Sequence, residues 1–246
     1  MENISRRTAI KTALVGGAAL AVSGLEAANP AKKKKAETKE PLKGNVRHSV
    51  SKWCFGDYPL EEFCGICKNI GIESIELLDP KDWPVVQKHG LTVAMCQGAG
   101  LGIDRGFNDP KLHDELVASY EAVIPQVAAA GLTNLICFSG KRNGLTDLQG
   151  WENCEKGLKR LMPLAEKHNV VLTMELLNSV GHKDYQCDHT VWGVELCRRV
   201  GSPNFKLLYD IYHMQIMEGN IIENIQKYHE YFSHIHTGGN PGRAEI

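Results

Sequence analysis

The chain has 246 residues, with 28 basic and 29 acidic side chains and a hydrophobic content of 43%. The balance is near zero and turns acidic once the basic N-terminal stretch is set aside, so composition offers no groove for a phosphate backbone and argues against nucleic acid as a partner. Eight cysteines in a chain of this length do not read as a disulfide scaffold, because Cys96, Cys137 and Cys197 lie in apolar periodic segments where a thiol acts as a small hydrophobe.

Residues 1–41 read as a targeting segment and polar linker, and residues 42–246 as one folded domain. Ser5-Arg6-Arg7-Thr8-Ala9-Ile10-Lys11 resembles a bacterial twin-arginine export signal, and Ala13 to Gly24 supply the weakly apolar stretch that follows such a signal. That stretch is shorter than the roughly 20 apolar residues a bilayer span needs, so the expected location is the periplasm without a stable membrane anchor. Lys32 to Lys35, with Glu37, Lys39 and Glu40, read as a solvated linker. Cys64 and Cys67 have redox spacing but sit inside a helix-like run instead of opening a helix after a strand.

From Arg47 onward short apolar runs alternate with longer amphipathic ones, the pattern of repeated strand–helix units. The strand candidates are Ser49–Phe55, Ser74–Leu78, Thr92–Gln97, Leu135–Ser139, Val170–Leu176, Lys206–Ile211 and Ser233–Thr237. The helix candidates are Leu60–Ile70, Asp82–His89, Pro110–Ala130, Trp151–His168, Thr190–Val200 and Ile221–Tyr231, with Gly71, Gly90, Gly131 and Gly201 as stops. The strands are mostly continuous hydrophobic runs, as expected where both faces of a parallel sheet are covered. About seven strands and six helices in about 200 residues predict an α/β fold, a (β/α)8 TIM barrel that is C-terminally incomplete, since a full barrel takes around 250 residues. An exposed parallel edge would be costly, so a longer parent chain, or a second copy in a homo-oligomer, is the expected cover.

Three successive strand candidates end in ionisable residues: Glu175, Asp210 and His236. Parallel strands alternating with helices carry their C-terminal ends to one face, where barrel enzymes keep their chemistry. Two carboxylates and an imidazole suit a hard or borderline divalent cation such as Mg, Mn, Co or Zn, so these three are the expected metal ligands. Arg243, after Pro241 and Gly242, suits a substrate carboxylate through paired hydrogen bonds. Glu76, ending the second strand, and Asn178 are further candidates for the substrate-binding rim. His234 shares a strand face with His236 one layer deeper and reads as structural. The Gly98, Gly100, Gly102 run fails as a nucleotide fingerprint because the third glycine would fall at Ile103; it reads as a pliable loop over the pocket.

Met174-Glu175 with Asn178, Asp210 with His213, Met214 and Gln215, and His236 followed by Pro241-Gly242-Arg243 together resemble the xylose-isomerase-like TIM barrel superfamily, and within it the hydroxypyruvate isomerases, over roughly Val46 to Ile246. The resemblance implies a divalent metal held by Glu175, Asp210, His236 and a final Glu on an eighth strand, with Glu175 also catalytic and His213 contacting a substrate oxygen. It implies a small hydroxy-carbonyl substrate, of the hydroxypyruvate/tartronate semialdehyde type, interconverted through an enediolate. His at the third ligand position is shared with ketose 3-epimerases, which stand as an alternative. A non-catalytic exported sugar-acid-binding remnant lacking the second catalytic Glu is another. An endonuclease of the same superfamily would need further histidines where this chain has Gln97 and Ser139.

Overall fold

The computed structural model describes residues 46–243, so the expected leader and linker lie outside the described residues. Gly44–Ile246 form one compact unit, and no helix among the described residues is long and apolar enough to cross a membrane.

Among the described residues there are six strands: β1 (Ser49–Ser51), β2 (Ser74–Glu76), β3 (Asn134–Cys137), β4 (Val171–Glu175), β5 (Phe205–Asp210) and β6 (Phe232–His236). β1 pairs with β2, and β3 to β6 pair in chain order, all parallel. The expected strand Thr92–Gln97 is not continuous, yet it still joins the two sheets through parallel bridges from Thr92 to Ser74 and from Cys96 to Leu78 and Leu135. Its ladder is broken at Ala94 by side chains. The Ala94 N–H donates to Ser74 Oγ at 2.7 Å and its carbonyl accepts from Asn134 Nδ2 at 2.9 Å, so hydroxyl and amide replace two backbone rungs. The result is a parallel arc of seven strand positions. The expected strand Ser49–Phe55 also stops early, because Lys52–Phe55 turn into a 3-10 helix that leaves Trp53, Cys54 and Phe55 exposed at the strand end.

The helices are α1 (Leu60–Ile70), α2 (Trp83–Lys88), α3 (His113–Ala129), α4 (Asp147–Lys159), α5 (Met162–His168), α6 (Thr190–Val200), α7 (Ile211–Met217) and α8 (Ile221–Tyr228). α1 and α6 keep their expected bounds, each closed by a left-handed glycine, Gly71 at φ +88 and Gly201 at φ +71. The expected helix Trp151–His168 is two helices broken at Arg160 and Leu161, since Pro163 has no N–H for an uninterrupted ladder. It also starts earlier than expected, where Thr146 and Gln149 form a capping box. α7, absent from the sequence reading, starts directly at the end of β5 with Asp210 as its N-cap.

Alternation along the strands divides the core into two layers. Leu172, Met174, Phe205, Leu207 and Tyr209 face the helices within one large apolar cluster. Met95, Ile136 and Leu208 point the other way and form a small apolar plug inside the arc, capped by Leu77 and Phe138. The polar strand-end residues sit one layer above this plug.

The loop after the third strand position crosses β3 at a very close approach. A Cβ on Gly106 would lie 2.3 Å from the backbone of Ser139 and Gly140 and 2.4 Å from the Phe138 carbonyl. Backbone cannot move aside as a side-chain tip can. Gly106→Ala is therefore expected to destabilise the fold by about 1–3 kcal/mol or more, lowering the melting temperature by roughly 2–4 °C for each kcal/mol. An unchanged thermal denaturation midpoint would contradict this packing.

Candidate functional site

The C-terminal ends of β4, β5 and β6 carry Glu175, Asp210 and His236 to one point. His236 Nδ1 lies 3.4 Å from Glu175 Oε1 and 3.8 Å from Asp210 Oδ2, and the three residues form a group whose atoms all lie within 4.8 Å of one another. Register explains the convergence, for Asp210 pairs directly with His236 and Glu175 with Leu208, two residues before Asp210 on the same face. Asp210 divides its oxygens: Oδ1 accepts from the His213 N–H at 3.2 Å and caps α7, while Oδ2 faces His236. The capping and ligand readings of this residue are therefore compatible.

The donor set fits a divalent cation. Atoms held about 2.0–2.2 Å from one ion at tetrahedral angles stand roughly 3.3–3.6 Å apart, close to the separations seen. Burial and the nearby Glu175 charge raise the Asp210 carboxyl above its ordinary range, with His236 opposing. Burial works against charge on His236, yet Glu175 and Glu76 hold its imidazolium up to about 10. Without a cation, a proton on His236 balances the carboxylates.

Asn178 and Arg243 fix His213, which is buried at the start of α7. The Asn178 N–H donates to His213 Nδ1 at 3.1 Å, so the ring proton resides on Nε2, which faces the cleft. Burial first, then Arg243, His182 and His236, push its pKa down to about 3, keeping the ring neutral. Asn178 also accepts from the Gly181 N–H at 2.6 Å, folding the loop after β4 over itself. Arg243 places Nη2 2.6 Å from His213 Nε2, and its guanidinium is stacked 4.5 Å from the Tyr212 ring centroid and 5.6 Å from that of Trp53. With the ring proton on Nε2 two donors thus meet at this distance, and an acceptor oxygen would serve both by parting them.

Glu76 stands differently from its expected place on a substrate-binding rim. It lines the floor of the cleft, but its carboxylate is buried and already engaged: Oε1 accepts from Ser49 Oγ at 2.9 Å and lies 3.5 Å from His236 Nε2, while Oε2 lies 2.6 Å from His234 Nε2. Burial alone would raise its pKa, but His234 and His236 bring it down to about 2. The sequence carried two signals for this contact, a buried strand ending in Glu and a His-x-His strand end. Trp53 and Tyr212, which sandwich Arg243, carried no comparable signal.

Trp53, Glu76, Glu175, Asp210, Tyr212, His213, His236 and Arg243 line a cleft of about 740 Å3 at the C-terminal end of the arc, with Gln97, Ile103, Phe138 and His182 among its walls; Asn178, expected on the substrate-binding rim, is buried behind His213 and does not reach the lining. That is room for a small molecule.

A family model described as "Xylose isomerase-like TIM barrel" matches residues 65–245. The hydroxypyruvate isomerase of Escherichia coli K12 is 25% identical over 202 residues, covering 78% of this chain and 78% of its own. The D-psicose 3-epimerase of Enterocloster bolteae is 31% identical over 95 residues, 37% of this chain and 31% of its own. Among solved structures, an AP endonuclease, family 2, from Brucella melitensis superposes with a TM-score of 0.73 at 22% identity, covering 81% of this chain and 84% of that one. The IOLI protein with a binding zinc atom superposes with a TM-score of 0.65 at 14% identity, covering 78% and 72%. At these identities the structural likenesses establish the barrel fold and leave the activity to the site.

Proposed function

The chain belongs to the xylose isomerase-like TIM barrel family, and from that premise we propose that it is a divalent-metal-dependent isomerase acting on a small hydroxy-carbonyl acid, interconverting hydroxypyruvate and tartronate semialdehyde. The observation that carries the reading is the convergence of Glu175 and Asp210 on His236 Nδ1 at the ligand-to-ligand spacing of a cation site. Glu175, Asp210 and His236 would hold the ion, which when bound supplies Lewis-acid stabilisation of the negative charge that builds up on the enediolate oxygens.

The chain's own residues would do the rest. Moving a carbonyl to the neighbouring carbon requires removal of a weakly acidic C–H proton and return of a proton to the adjacent carbon. Glu175, a buried carboxylate within the ligand cluster, would take that first proton and, as the carboxylic acid so formed, return a proton to the adjacent carbon. His213 keeps its Nε2 proton aimed into the cleft, because the Asn178 N–H occupies Nδ1, and the neutral ring offers that N–H as a hydrogen bond to a substrate oxygen without giving the proton up. Arg243, held between Trp53 and Tyr212, presents paired N–H groups to the substrate carboxylate. A substrate oxygen seated between Arg243 and His213 would accept from both.

The test is incubation with hydroxypyruvate in deuterated water. We expect tartronate semialdehyde to form, with solvent deuterium appearing at the reacting carbon, and both to vanish on chelation. Product formed unchanged after exhaustive chelation would overturn the metal reading. Exchange confined to carbon 3 of a ketohexose would favour an epimerase. Ligand binding with no exchange in any substrate would favour a binding protein. We also propose, from Arg6, Arg7 and the apolar stretch after them, that the protein works after export, which a reporter fused to residues 1–41 would test.

A further inference from the structure

Glu76, buried, and His234, half-buried, form an ionisable pair that this chemistry leaves unused. Glu76 ends β2, on the opposite side of the arc from β6, and its carboxylate reaches across the interior to two imidazoles on one strand face. Each oxygen has its own neighbour: Oε2 lies 2.6 Å from His234 Nε2, and Oε1 lies 3.5 Å from His236 Nε2 while accepting from Ser49 Oγ at 2.9 Å. His236 therefore meets carboxylates on both ring nitrogens, Glu76 at Nε2 and the Glu175 and Asp210 pair at Nδ1.

We propose that Glu76 is the positioning residue of the metal centre: it accepts the Nε2 proton of His236, and so leaves Nδ1 bare and aimed at the ion. An imidazole can give only one nitrogen to a metal, and the partner of its other N–H selects which nitrogen that is and how the ring is turned. His236 Nε2 is buried with its hydrogen bond unmade, and among the described residues Glu76 Oε1, 3.5 Å away, is the carboxylate that faces it. At 3.5 Å the contact is long, as hydrogen bonds of a site often are before its ligand is in place. His234, one layer deeper, is the brace. Its close contact holds the far oxygen of Glu76 and keeps the carboxylate turned to present Oε1 upward.

The same three residues could be imagined as ligands of a second ion, because Glu76 Oε2, His234 Nε2 and His236 Nε2 are all buried without aligned partners. The spacing argues against that. Two separate ligands of one divalent ion stand roughly 3.3 Å apart, whereas His234 Nε2 and Glu76 Oε2 stand 2.6 Å apart, too close to be two ligands of one ion.

The inference rests on His236 being a metal ligand, so the experiment separates the two claims. Affinity for Zn and for Mn is measured by chelator competition on the full chain, with Glu76→Gln, Glu76→Ala, Ser49→Ala and His236→Ala beside the wild type. Their thermal midpoints and the visible spectrum of Co-loaded protein are recorded in parallel. We expect one ion per chain, a loss of affinity of about 10–100-fold for Glu76→Ala, a smaller loss for Glu76→Gln, which keeps one acceptor oxygen, and the smallest for Ser49→Ala. The Co spectrum should change in the Glu76 variants while ion stoichiometry stays at one. If His236→Ala binds metal like the wild type, the metal reading itself fails. If His236→Ala loses the ion but folded Glu76→Gln and Glu76→Ala hold it within threefold of wild type with an unaltered Co spectrum, the positioning role is overturned. Two ions per wild-type chain would overturn it as well, by making Glu76 a ligand. Should Glu76→Ala fail to fold, Glu76→Gln and Ser49→Ala carry the same decision.

Discussion

Replacing Glu175 by Gln is expected to lower kcat for hydroxypyruvate by about 10^3–10^4-fold, near the upper range for loss of a positioned proton acceptor, while the chain stays folded. Gln is almost isosteric with Glu, so the packing of β4 around the neighbouring Met174 and Leu176 should hold. What changes is charge. A neutral amide cannot take a carbon-bound proton, and it is a weaker donor to a divalent ion than a carboxylate. The substitution also removes one of the two carboxylates that hold His236 protonated, so the imidazole of the metal-free variant should titrate well below about 10. Steady-state rates at saturating metal separate the proton-transfer loss from the affinity loss. Deuterium exchange at the substrate carbon should vanish together with turnover. A variant that keeps kcat within tenfold of wild type would remove Glu175 from the proton path.

The three strand-end residues were legible because β4 and β5 are short continuous apolar runs that each stop at a carboxylate, and β6, though only half-buried, closes on a His-x-His pair. Where local pattern competes with side-chain hydrogen bonds, legibility drops. The segment around Ala94 reads as strand, but Ser74 and Asn134 supply its partners from elsewhere in the chain, and no window around residue 94 contains them. Lys52–Phe55 failed for another reason: its apolar side chains suggested a buried strand, yet Trp53 and Phe55 lie exposed where the chain turns over the cleft. The start of α4 was visible in Thr146 and Gln149, but the first large apolar residue, Trp151, drew the boundary inward. Glu76 could be placed at a strand end but not assigned its neighbours, because the contact to His234 and His236 depends on how far the arc curves back on itself. Curvature is a property of summed strand twist and helix packing, and no single segment encodes it.

Stripping the chain with a chelator is expected to abolish turnover, and reloading should show affinity that climbs steeply with pH. In the metal-free site the first proton to be displaced is that of His236, held to about 10 by Glu175 and Glu76 against the opposing effect of burial. A ligating imidazole must give up the proton from the coordinating nitrogen, so each ion bound between pH 6 and 9 releases about one proton and the apparent Kd falls by about tenfold per pH unit, roughly 10^3 over that range. The sign for stability runs the opposite way. His236 has a raised pKa in the fold, so its contribution to the metal-free chain is complete below about 6.5 and disappears as pH rises through about 10. Glu76, depressed to about 2, contributes above its ordinary value of 4.5 and loses that contribution only as pH falls through about 2. The stripped chain should therefore lose melting temperature between pH 7 and 10, and the loaded chain should resist that loss because the cation replaces the proton. Calorimetric titration in buffers of different ionisation enthalpy counts the protons directly. An affinity that does not move with pH between 6 and 9 would mean that His236 gives no nitrogen to the ion, and the ligand set would have to be sought elsewhere in the cleft.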